Sequence, residues 1–107
     1  MLTSYNFTKK DEINSVSATP LQKAKGQTLK VSGAALATRV DAETGEERKV
    51  ALLATDEGTF SSISATAIKC LDLIIDYMTD ETPDSVQVKV NAAKSNAGRE
   101  FITLELV

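Results

Sequence analysis

From residue 28 onward the chain alternates apolar and polar positions with a period of two, interrupted once by a helical period. In Thr28–Val40, Leu29 and Val31 share one parity while Leu36, Thr38 and Val40 share the other. Alternate side chains of a strand point to opposite faces, so the switch at Gly33-Ala34-Ala35 predicts a bulge inside one long, bent strand. Residues 41–46 read as a hairpin loop in which Gly45 supplies a positive φ. Glu47–Thr55 is a second strand, with Val50, Leu52 and Ala54 facing one way and Lys49, Ala51 and Leu53 the other. Asp56-Glu57-Gly58 turns the chain into a short third strand at 59–64, where Phe60 and Ile63 have opposite parity and either suits the core.

Here the period changes. Ile68, Leu71, Ile75 and Met78, widened by Ile74, recur at three- and four-residue spacing and predict one amphipathic helix over 64–79. Lys69, Asp72, Asp76 and Asp80 take its wet side, and Leu73 falls among them against the pattern. Thr82-Pro83-Asp84 stops the helix. Alternation returns at 85–90, with Val86, Val88 and Val90 inward and Gln87 and Lys89 outward. Polar residues 91–100 read as a loop. The last strand, 101–107, turns Ile102, Leu104 and Leu106 inward and Phe101, Thr103 and Glu105 outward.

The order β-β-β-α-β-β is that of an OB-fold: mainly β, a five-stranded, partly open barrel with one helix between strands three and four. Residues 27–107 are expected to form it, and residues 1–26 a partly ordered arm or cap. In that arm Tyr5 and Phe7 alternate like a short strand, residues 11–16 suit a helical turn, Pro20 breaks what precedes it and Gly26 closes the segment. The aromatic pair lies near Lys9 and Lys10. It has three readings: packing on the barrel, folding over a groove, or docking on a neighbouring subunit.

Composition narrows the chemistry. The chain has no histidine, which removes the usual general base and the commonest transition-metal ligand. Its single cysteine, Cys70, allows neither an intramolecular disulfide nor a cysteine-rich zinc site. No phosphate-binding glycine loop of the Lys-Ser/Thr type occurs. The expectation is a binder rather than an enzyme, without cofactor or metal. No run approaches the roughly 20 apolar residues that span a bilayer, and the polar start does not read as a signal peptide, so the expected compartment is the cytoplasm.

The net charge of −3 argues against a nucleic-acid ligand only until its distribution is drawn. Between Lys69 and Lys89 there is no basic residue, and this window holds Asp72, Asp76, Asp80, Glu81 and Asp84. Setting those five aside leaves 12 basic against 10 acidic residues, a net of +2. A phosphate chain responds to the potential of one face, not to the molecular sum. OB barrels bind through strands two and three and the flanking 1–2 and 4–5 loops, and single strands are held by cations and stacking aromatics. Arg48 and Lys49 open strand two, Phe60 lies in strand three, Arg39 ends strand one, and Lys94 and Arg99 sit in the 4–5 loop beside Phe101. Lys30 and Lys89 are outward candidates on strands one and four. Each lysine alone reads equally as a solubilising surface charge.

Several segments resemble the single-stranded DNA-binding proteins of small protein-primed tailed phages, the phi-twenty-nine group. They are Glu-Glu-Arg-Lys-Val at 46–50, Ala-Thr-Asp-Glu-Gly-Thr-Phe-Ser-Ser-Ile-Ser at 54–64, Leu-Asp-Leu-Ile at 71–74, Val-Gln-Val-Lys-Val at 86–90, and residues 94–106. More loosely, residues 26–37 resemble the family's first strand. The similarity is one of order and spacing over about three-quarters of the chain, and the N-terminus departs from it. The resemblance implies a non-enzymatic protein that coats and protects strands displaced during phage DNA replication, with an aromatic where Phe60 stands. Its partners would be single-stranded DNA and phage replication proteins, as a monomer or homodimer without membrane attachment. A second reading is a protein-interaction module, a virion component or an inhibitor of a host protein, which the acidic window favours.

Overall fold

The computed structural model describes residues 3–40, 42–94, 96–98 and 100–107. The elements are β1 (Thr3–Tyr5), α1 (Lys9–Asn14), β2 (Thr19–Pro20), β3 (Thr28–Val40), β4 (Glu47–Thr55), β5 (Gly58–Ser62), α2 (Ala65–Glu81), β6 (Val86–Lys94) and β7 (Glu100–Leu106), with 3-10 turns at Ser15–Ser17 and Leu21–Ala24. All strands join one sheet in the order β2-β5-β4-β3-β6-β7, with β1 added against β3. Pairings are antiparallel except β2 with β5. The protein is mainly β, and its sheet is curled around α2. Seven strands and two α-helices replace the expected five and one, because the first 24 residues add β1, β2 and α1.

β3 is the strand on which the curl depends. Its first part pairs with β6 (Leu29 with Val88, Val31 with Val86) and its second part with β4. The register shifts between Val31 and Gly33, at the predicted parity switch. Leu29 and Val31 before the bulge and Ala34 and Leu36 after it therefore all reach the same core. Gly33 answers a steric demand as well as the bend: a Cβ there would collide with the carbonyl oxygen of Asn6. Asn6 follows β1 in the left-handed region and donates from its amide to the Ser32 carbonyl at 3.0 Å. The hairpin glycines behave as the turns require, with φ +71° at Gly45 and +120° at Gly58.

α2 supplies the other half of the core. Ala67, Leu71, Ile74, Ile75 and Met78 pack against the inner face of β3–β7. The helix ends at Thr82, itself left-handed, whose N–H donates to the Met78 carbonyl at 2.7 Å. The next residue, Pro83, accepts a 3.0 Å hydrogen bond from the Tyr5 hydroxyl, tying β1 to the end of α2. Leu73 is 65% exposed, so the interruption of the pattern is real and its side chain stays outside the core.

Two expectations are corrected. β6 continues to Lys94, because Asn91–Lys94 pairs with Glu100–Thr103 through backbone bonds that need no apolar side chains. The connection between the last two strands is shorter than the predicted 91–100 by the length of this pairing. Leu106 is exposed, since it pairs with Val88 at the end of the sheet. Of the two residues of which either suited the core, Phe60 takes that position and Ile63 does not. Phe60 lies opposite Leu53 on the inner face, and Ile63 falls one residue beyond the end of β5.

Candidate nucleic-acid interface

On the outer face of the sheet, cross-strand pairs follow from the register. Ala35 opposes Leu52, Ala37 opposes Val50, and Arg39 opposes Arg48. Leu52 in turn opposes Ser61 of β5. Ala35, Val50 and Leu52 form a small buried cluster with Phe7 and Ala37 against it. β4 is thus covered on both sides in its middle and exposed only at its start.

That start is where the cations gather. Two guanidiniums directly across a strand pair repel, an arrangement that destabilises an isolated sheet. Arg39 is partly accommodated: its Nη2 donates to the Ser15 carbonyl at 3.1 Å. Ser15 is itself buried, its hydroxyl donating to the Glu12 carbonyl at 2.6 Å, and α1 before it is held by a reciprocal Thr8–Asp11 cap. The Arg48 side chain has no hydrogen bond or ion pair among the described residues. Lys49, one residue on, has the opposite parity and projects from the other side of the same hairpin.

Arg39, Arg48 and Val50 border a recess of about 200 Å³ together with Val40, Ser61 and Ile63. Ile63 is 66% exposed there. Ser61 and Ile63 also border a second, larger cleft of about 480 Å³, which continues to Phe101 and Ile102 of β7. The two form one path from the arginine pair to the edge of β7. Phe101 is half-buried in that cleft. Beside it Lys94 opposes Glu100, whose carboxylate also pairs with Lys25 at 3.1 Å.

The predicted residues therefore separate. Arg39 and Arg48 stand at one end of the path and Phe101 at the other; Lys49 projects from the opposite side of the sheet, and Lys94 lies across the ladder from Glu100. Phe60 is 8% exposed and belongs to the core, so its ring is not presented for stacking. Lys30 borders a recess on another part of the surface with Asp56 and Asp84. Lys89 lies across the ladder from Glu105. Both are in acidic company that cancels their local potential. Arg99 lies outside the described residues. Ile63 and Val40 were missed because an apolar residue at a strand end carries no signal that separates surface from core.

A family model described as phage single-stranded DNA-binding protein, of the phi-twenty-nine type, matches residues 11–107. The chain belongs to that family. Its ligand is single-stranded DNA and its setting is phage DNA replication. Comparison with curated proteins and with solved structures gives no match. For a single-stranded DNA-binding protein the outer face has the two residue types such a ligand needs: guanidiniums for phosphates, and exposed apolar side chains for bases. The match takes in the end of α1, β2 and β3 as well as the segments that carry the resemblance.

Proposed function

We propose that the chain binds single strands without reading their sequence, along the path from Arg39 and Arg48 past Ile63 to Phe101, and so coats strands displaced during replication. The observation that carries this reading is the cross-strand Arg39–Arg48 pair on an apolar outer face. It costs stability within the chain and is repaid by a polyanion. The five long strands and α2 follow the element order of an OB-type barrel, and the proposed path lies on its strand 2–3 face, where that fold binds. The role is non-enzymatic, exercised in the cytoplasm of the host cell, as a monomer or homodimer. Among the described residues no helix is long and apolar enough to cross a membrane.

The test is a fluorescence titration of oligo(dT) at several salt concentrations. Single-strand binding loses affinity with a slope of about −0.7 per phosphate neutralised. The Arg39→Ala/Arg48→Ala double variant is expected to bind more weakly and to flatten that slope by about 1.4. A wild-type affinity indifferent to salt would refute the reading.

One observation supports a protein partner in addition. On α2 the exposed row Leu73–Tyr77 runs beside the row Asp72–Asp76–Asp80, on the side of the molecule away from the DNA path. Phage replication proteins with a basic, apolar-centred segment suit this face.

A further inference from the structure

The curled sheet does not close. β5 and β7 are not neighbours in the sheet, and β5 pairs instead with the short β2, Thr19 opposite Phe60 and Pro20 opposite Ser61. The Leu21–Ala24 turn then fills the space beneath, with Leu21 and Ala24 fully in the core. What remains of the seam is the cleft of about 480 Å³. A cleft of that size accepts a small planar ligand.

Its lining is divided. Leu21 and Ile102, both buried, make an apolar floor, and Ile63 and Phe101 stand at the mouth. Ser62 and Ser64 line it too. The Ser62 hydroxyl accepts from the Ser64 backbone N–H at 3.1 Å, and the Ser64 hydroxyl accepts from the Ile102 N–H at 3.4 Å. Ser64 stands at the N-cap of α2 yet makes no cap hydrogen bond, its oxygen being turned to β7 instead. Each hydroxyl has its oxygen engaged and its proton left to donate. The cleft therefore combines apolar walls with hydrogen-bond donors, and the one carboxylate in its lining, Glu100, is paired with Lys25.

We propose that this cleft receives one unstacked nucleobase of the bound strand, with Ile63 and Phe101 against its face and the serine hydroxyls donating to its ring or carbonyl acceptors. The occupant follows from continuity: Ser61 and Ile63 belong both to this cleft and to the recess that holds Arg39 and Arg48. A strand whose phosphates lie on the arginines is thereby led to the cleft mouth. Every base offers a π-face and at least one acceptor, so the cleft holds a base without selecting a sequence. The inference rests on the DNA path proposed above and assigns its apolar half a distinct task.

The experiment compares a fluorescent oligo(dT) with an abasic oligonucleotide of the same length and charge, for wild type, Ile63→Ser and Phe101→Leu. Ile63 is exposed, so its replacement leaves the fold intact, and Phe101→Leu keeps an apolar group while losing the ring. The wild type is expected to prefer oligo(dT), and each variant to shrink that preference by roughly fivefold or more, the low end for stacking one base. A preference for oligo(dT) unchanged in both variants overturns the cleft as a base site while leaving the DNA path standing. Binding of neither oligonucleotide by the wild type overturns the path itself.

Discussion

The outer face of β3–β5 and the outer face of α2 are built alike and charged oppositely. On the sheet, Val40 and Ile63 are exposed beside Arg39 and Arg48; on the helix, Leu73 and Tyr77 are exposed beside Asp72, Asp76 and Asp80. Each face carries a repulsion that the described residues offset only in part, through the hydrogen bond from Arg39 to the Ser15 carbonyl. The two arginines oppose one another across the ladder. The aspartates repeat at four-residue spacing, and α2 has no basic residue in its last turn to complement its dipole. Among the described residues no ion pair joins these aspartates to a cation. The net charge of −3 is thus a sum over two surfaces of opposite sign. Only the positive one fits a phosphate chain.

The largest effect that sharpens this contrast concerns the residue between the two faces. Phe60 sits on the inner side of β5, in the cluster that α2 completes. Phe60→Ala is expected to destabilise the fold by about 3–5 kcal/mol in a urea titration. A variant as stable as wild type, with weakened oligonucleotide binding, would move the ring to the DNA side. Next comes the Arg39→Ala/Arg48→Ala variant, with its loss of affinity and a salt slope flatter by about 1.4. If the same loss followed from removing cations elsewhere, the arginine pair would have no special place.

Smaller effects test the helix. Asp80→Lys is expected to stabilise the protein by about 0.3–1 kcal/mol, since it relieves repulsion from Asp76 and places a cation at the helix C-terminus. Affinity for oligo(dT) at physiological salt should change little, because the exposed charge is screened across the molecule. A large gain in affinity would mean that the acidic face shares the DNA path. Smallest of all, Lys89→Ala is expected to leave the salt slope within error of wild type, as Glu105 already opposes that lysine. A slope flatter by about 0.7 would place Lys89 on a phosphate.

Much of this was legible along the chain because the signals are local. A period of two marked the long strands, a period of 3.6 marked α2, and Gly45 and Gly58 marked turns. The bulge in β3 showed as a change of parity. Other features had no local signal. Asn91–Lys94 belongs to a strand because a partner strand pairs with its backbone. Residues 3–24 acquire order by docking: Tyr5 on the Pro83 carbonyl, Arg39 on the Ser15 carbonyl, and Leu21 in the core. The cations of the candidate site were nameable, but not their grouping. Lys30 and Lys89 share the outward parity of the others and differ only in which acids surround them.

By itself the sequence determined the five longer strands in outline, the long helix, the turns at Gly45 and Gly58, and that an acidic stretch is segregated from the remaining charge. These depend on neighbours within a few residues. Only the tertiary structure decided which side of β5 is inside, and so whether Phe60 or Ile63 meets solvent, because that depends on where α2 packs. It also decided that Arg39 and Arg48 stand opposite one another, since register between strands is set by pairing across the sheet. The same packing left the seam between β5 and β7 open, and the short β2 and its following turn fill it only in part.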